Sequence, residues 1–148
     1  MTIEAQVTIN SDTATVWKVI TDIRRSGKIL STVENIEIVH EPANGLTGLK
    51  WRETRLFFGK PATIEKWITD ASENKFYTTR AEMEGFIFLT RFTISGSGAN
   101  TTLQSSHETQ SRGLLAKIKS LPMVFFRGVL KKAILKDLNE IKAAVEQP

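Results

Sequence analysis

Residues 49–111 read LKWRETRLFFGKPATIEKWITDASENKFYTTRAEMEGFIFLTRFTISGSGANTTLQSSHETQS. Turn signals fall at Gly59-Lys60-Pro61, Asp70 to Asn74, Glu84-Gly85 and Gly96 to Asn100. The pieces between them are roughly 8–11 residues long, which is the rhythm of an antiparallel meander. Those pieces, LKWRETRLFF, ATIEKWIT, KFYTTRAEM, FIFLTRFTIS and TTLQSSHET, predict five strands joined by hairpins.

Upstream, TIEAQVTI sets Ile3, Ala5, Val7 and Ile9 on one face and polar residues on the other, as a half-buried strand requires. Asn10, Ser11 and Asp12 offer capping oxygens to ATVWKVI, a short helix with Val16, Trp17 and Ile20 at helical spacing. DIRRSGKILSTV reads as a second short helix or turn leading into the strand VENIEIVH. Downstream, from about Gly113 to Gln147, apolar residues from Leu114 through Val129, Ile134, Leu138 and Ile141 to Val145 recur mostly at three- and four-residue steps, the stripe of one amphipathic helix. The order strand, two short helices, six strands, long helix predicts an α+β fold with helices on one side of an antiparallel sheet. With 148 residues, no internal repeat and no linker rich in Pro, Gly or Ser, one domain over 1–148 is expected.

Pro122 stands inside the last helical pattern and is followed by Met123-Val124-Phe125-Phe126. Some 35 helical residues would make a rod of about 50 Å, longer than the roughly 40 Å diameter of a compact chain of this size. Pro122 is therefore expected to kink or restart the helix. Four consecutive apolar residues cover all sides of a helix, so at least one points away from the main stripe and needs an apolar receiver. A cavity under the kinked end, with Met123 and Phe126 lining or gating it, would supply one.

Composition narrows the chemistry. The absence of cysteine excludes disulfides, iron–sulfur clusters, thiolate–zinc sites and cysteine nucleophiles, and His40 and His107 are the only imidazoles, so neither a metal nor a cofactor is expected. No basic and apolar leader opens the sequence and no window approaches the roughly 18 apolar residues of a membrane span, so a soluble cytoplasmic chain is expected. The net charge of +4 has a location: Arg112, Lys117, Lys119, Arg127, Lys131, Lys132, Lys136 and Lys142 face only Asp137 and Glu140 in the same span. The bland reading is a solvated helix face, and without interleaved stacking aromatics no nucleic acid partner is expected.

Three strings, IEAQVTINSDTATVWKVITD (3–22), GLKWRETRLFFGKPATIEKWITD (48–70) and FTISGSGANTTL (92–103), resemble the Bet v 1-like superfamily, also called SRPBCC or START-like. The resemblance covers essentially the whole chain. It implies a helix-grip fold: a curved seven-stranded antiparallel sheet, two short helices and a long C-terminal helix. It is unspecific for activity, because this fold hosts carriers, cyclases and co-chaperones. The Rieske branch is excluded by the missing cysteines, and the glycine-rich loop of the plant allergens is reduced here to ANGLTGL. What remains resembles the polyketide cyclase/dehydrase and lipid-transport type, which implies an internal pocket for a small hydrophobic ligand.

If Leu49, Trp51 and Phe57 face that cavity, the two-residue period turns Glu53 and Arg55 inward as well. Likewise, an inward Leu103 brings Ser105 and His107 with it. Glu53, Arg55 and His107 are then the candidate catalytic or head-group residues, since burial and pairing move pKa values to useful ones. The competing reading makes Glu53 and Arg55 a rim ion pair and His107 an edge residue, because a slip of one residue reverses every facing. His40 reads as a solvated turn residue, and Trp17 and Trp67 as core or sheet packing. The ligand-binding candidates are Trp51, Phe57, Phe88, Phe92, Met123 and Phe126.

These readings favour a non-catalytic carrier or sensor of a lipid, polyketide or aromatic compound. A cyclase- or dehydratase-like enzyme using Glu53, Arg55 and His107 is the first rival. The second is an interaction module whose basic C-terminal helix meets an anionic membrane or an acidic partner.

Overall fold

The computed structural model describes residues 1–57, 59–113 and 126–147. Strand β1 (Thr2–Ile9) is followed by helices α1 (Thr13–Ile20) and α2 (Ile23–Ile29). Strands β2 (Val33–His40), β3 (Lys50–Phe57), β4 (Lys60–Ser72), β5 (Phe76–Met83), β6 (Phe86–Ser97) and β7 (Asn100–Ser111) come next, and helix α3 (Arg127–Glu146) ends the described chain. The sheet is antiparallel with the order β1-β7-β6-β5-β4-β3-β2, so the N-terminal strand closes the far edge beside β7. This is the α+β order expected from the strand rhythm and the helix-grip arrangement implied by the resemblance. Pro122 and Met123, and the helical stripe before Phe126, lie outside the described residues.

Local chemistry places the boundaries. Asp12 caps α1 by accepting the Thr15 backbone N–H at 2.7 Å. Asp22 does the same for α2 through Arg25 at 3.4 Å. Glu84 (φ 50°) and Gly85 (φ 82°) both occupy the left-handed region and form the two-residue turn between β5 and β6. Such a turn matches the twist of the strands it joins. At Gly96 a Cβ would stand 2.3 Å from the Asn100 carbonyl oxygen, so the β6–β7 turn closes only over glycine.

The outer face of β3 and β4 is polar, as alternation requires: Lys50 and Arg52 pair with Glu65 at 3.0 and 3.3 Å, and Lys50 lies over the Trp67 ring. On the inner face, burial is graded along the strands. Ile9, Val16, Ile68, Leu103 and Leu138 are closed off from solvent where α1 and the second half of α3 meet the sheet. Towards the β3–β4 and β5–β6 turns the inner residues Arg55, Ile64, Lys66, Phe88, Thr90 and His107 are only half-buried. The grip is tight at one end and loose at the other.

Helix α3 lies against β1 and touches α1 and α2. Polar bonds fix it along its length: Asn10 N–H donates to Glu146 at 2.8 Å, Lys142 donates to the Thr8 carbonyl, and Ser31 donates to Glu140. Only Leu138, Ile141 and Val145 of α3 are fully buried, all in its second half. Val129, expected on the buried stripe, is 48% exposed instead. The stripe ends near Ile134 because α3 passes beyond the core there.

Candidate functional site

Register settles the facing of β3. Trp51 pairs with Lys66, Glu53 with Ile64 and Ile38 with Trp51, so Trp51, Glu53 and Arg55 look inward and Arg52 and Thr54 look outward. Glu53 is 5% exposed, which rules out the rim ion pair. Its carboxylate accepts from Lys66 Nζ at 3.0 Å, Arg55 Nε at 3.1 Å and Trp51 Nε1 at 3.4 Å. Arg55 also donates to Asp137 Oδ2 on α3 at 2.6 Å, so the network spans from the sheet to the helix.

Burial alone would push the Glu53 carboxyl up, but Lys66 and Arg55 and the hydrogen bonds from Lys66 and Trp51 outweigh it and hold the pKa below its ordinary value. Burial pulls the Arg55 guanidinium down, and the Glu53 and Asp137 carboxylates more than reverse this. Both groups stay charged. Tyr77, fully enclosed, is raised by burial and then by the Glu53 charge, and its hydroxyl donates to the Ile20 carbonyl at 3.1 Å.

His107 sits across the sheet on β7, paired with Thr90 of β6 and Ile3 of β1. Its Nε2 is 3.2 Å from the Ser105 hydroxyl and its Nδ1 is 3.4 Å from the Thr90 hydroxyl. Burial, and then the positive charges of Lys66 and Arg55, lower its pKa to about 4. The imidazole is therefore neutral at pH 7, with each nitrogen beside a hydroxyl. Phe92 meets the ring edge-on at 6.5 Å and packs on Tyr77 at 5.2 Å, while Phe86 and Phe88 stack at 6.1 Å. One wall is thus aromatic and half-buried, with a neutral polar group in it and a charged network alongside.

Of the expected residues, the structure brings Trp51, Glu53, Arg55, Phe88, Phe92 and His107 onto one inner face. Phe57 is 49% exposed at the end of β3, apart from the buried inner residues. Phe126 is 50% exposed at the start of α3, and Met123 lies outside the described residues. The sequence reading missed Lys66 and Asp137. Both carried a signal: Lys66 alternates with Ile64 and Ile68, and Asp137 lies three residues after Ile134 and four before Ile141, on the apolar stripe. Among the described residues no three His, Asp or Glu side chains form a group fit for a metal ion. Two surface notches, of about 240 and 220 Å³, contain none of Glu53, Arg55, Lys66 or His107. No helix among the described residues is long and apolar enough to cross a membrane.

Known structures share this architecture at low sequence identity. A START superfamily protein from Mycobacterium smegmatis superposes with a TM-score of 0.81 at 16% identity, over 99% of this chain and 97% of the other. The Zhui aromatase/cyclase from Streptomyces sp. R1128 gives 0.78 at 18% identity, over 99% and 94%. Norcoclaurine synthase from Thalictrum flavum gives 0.74 at 14% identity, over 100% and 94%. At such identities the likeness is one of fold. No curated protein matches the chain in sequence. A family model described as polyketide cyclase / dehydrase and lipid transport matches residues 1–146, and the chain belongs to that family.

Proposed function

We propose that this protein binds a small apolar or aromatic molecule bearing an oxygen head group, without transforming it. The observation that carries the reading is His107: neutral, half-buried, held between Ser105 and Thr90, and set beside Phe92 on the loose half of the inner face. Phe88 and Phe92 offer the apolar body a wall. Lys66 and Arg55 make the neighbourhood of His107 positive, which suits a carbonyl, phenol or enol oxygen better than a cationic group.

A cyclase-type reaction asks more of the same residues. A general base needs a pKa near the working pH, whereas burial and the neighbouring cations hold His107 near 4. Glu53 is committed to three donors. Binding is therefore favoured over turnover.

Native mass spectrometry of the purified chain tests this. The expected adduct is an oxygen-bearing apolar or aromatic compound, and Phe92→Ala is expected to weaken its retention about tenfold, the effect of losing roughly 1.4 kcal/mol of ring contact. No adduct, together with no uptake of a fluorescent apolar probe, refutes the reading. Turnover of a ketone-rich chain that disappears in Glu53→Gln would establish the cyclase instead.

A further inference from the structure

Among the described residues, the large apolar side chains left exposed are Val39, Phe57, Met83, Phe126 and Val129. Four of these five gather at one end of the molecule. Phe57 ends β3 at its turn into β4, and Met83 ends β5 at its turn into β6. Phe126 and Val129 open α3, whose other end is tied to Asn10 and Thr8 and whose middle reaches β3 through Asp137. The helix therefore starts at the end of the sheet where these turns lie. Val39 alone is elsewhere, at the far end of β2.

The same end is basic. Lys60, Arg112, Arg127, Lys131 and Lys132 are all exposed there, against Glu34, Glu82 and Glu84. Glu82 is already paired with Arg80, and Arg112 shares a notch with Met83. The second half of α3 spends its charges on the fold, through Lys142 to Thr8 and Glu146 and through Asp137 to Arg55. The basic residues of the first half point to solvent.

We propose that this end docks on an anionic lipid surface, with the four apolar side chains entering the interfacial layer and the basic residues meeting the head groups. Charge complementarity selects this occupant. A second copy of the same end would bring like charges together, which opposes self-association. Three separate chain segments projecting apolar tips among lysines and arginines fit a soft, negatively charged surface. This inference does not depend on the ligand reading, since none of these residues belongs to the His107 wall.

The test is co-sedimentation of the full chain with vesicles of phosphatidylcholine alone or mixed with phosphatidylserine. Binding is expected to the mixed vesicles and to fall with added salt, because screening shortens to about 3 Å at 1 M. Lys131→Gln with Lys132→Gln is expected to weaken partition about 30-fold, at roughly fivefold for each charge near the surface. Phe126→Ser with Val129→Ser is expected to weaken it about tenfold, and Val39→Ser to leave it unchanged. Failure of the native chain to sediment with the mixed vesicles overturns the proposal, as does a charge variant that binds as tightly as the native chain. Retention on DNA or an acidic polypeptide with no vesicle binding also overturns it.

Discussion

Glu53→Ala is expected to lower the stability of the fold by about 3 kcal/mol at pH 7, read as a denaturant midpoint with unchanged slope. Glu53 is buried and binds two cations and the Trp51 indole. Its removal strands Lys66 and Arg55 against an apolar wall. Breaking a buried pair costs about 3–5 kcal/mol, and the lower end applies because the side chains of Lys66 and Arg55 keep 27% and 20% of their exposure and Arg55 keeps Asp137. Glu53→Gln preserves the size and the acceptor for Trp51 while removing the charge, so its cost is expected to be smaller. The sign with pH follows from the lowered pKa: the contribution of Glu53 is present above its ordinary value of 4.5 and is lost as pH falls through the depressed folded value. Equal stability of Glu53→Ala and the native chain at pH 7 would show that the network contributes nothing to the fold.

The second large effect belongs to His107. Its pKa falls from 6.5 to about 4 on folding, because burial and then Lys66 and Arg55 oppose the imidazolium. Between these two values the unfolded chain takes up a proton that the native chain refuses, so stability falls as pH falls. The expected loss from pH 6.5 to pH 4 is about 2–3 kcal/mol, kept below the full linkage value because the ring retains some contact with water. His107→Gln has no proton to take up and should flatten the stability profile in this window. A native profile already flat between these pH values, or a slope that survives His107→Gln, would show that His107 is not held neutral.

The two windows separate the groups. His107 acts from about pH 6.5 downward, and Glu53 only below 4.5. A profile that bends in both, with each bend removed by its own variant, assigns the acid sensitivity of the fold to the inner face.

Much of this was legible in the residues themselves. The turn signals between Gly59 and Asn100 gave strands that the structure forms, since Gly, Pro, Asn and Asp mark places where backbone geometry leaves few choices. Alternation left two readings of Glu53 and His107 open, inward or at the rim, and the pairing of β3 with β4 and of β7 with β1 decides between them. Lys66 was harder. A lysine between Ile64 and Trp67 reads equally well as a solvent-facing residue until the β3–β4 register sets it opposite Trp51. The stripe placed Asp137 on the inner side of α3, but its pairing with Arg55, 82 positions away, became visible only with the approach of α3 to β3. The exposure of Phe57 was not legible either: alternation carries a residue to the correct face of a strand but does not say where the partner layer stops. Val129 failed in the same way on α3, whose apolar spacing continues past the sheet that buries it.

That distinction between facing and cover bears directly on the ligand. A wall that is inward yet only half-buried offers area to an apolar body, and His107 offers that body one hydrogen bond. Affinities for 2-naphthol and naphthalene, measured by fluorescence titration on the native chain and on His107→Phe, compare the two contributions in one pair of molecules. The native chain is expected to prefer 2-naphthol about tenfold, the worth of one hydrogen bond in a partly dry site, and His107→Phe is expected to erase that preference while keeping naphthalene binding. Equal affinities in the native chain, or a preference that persists in His107→Phe, would contradict the assignment of His107 as the group that reads the ligand's oxygen.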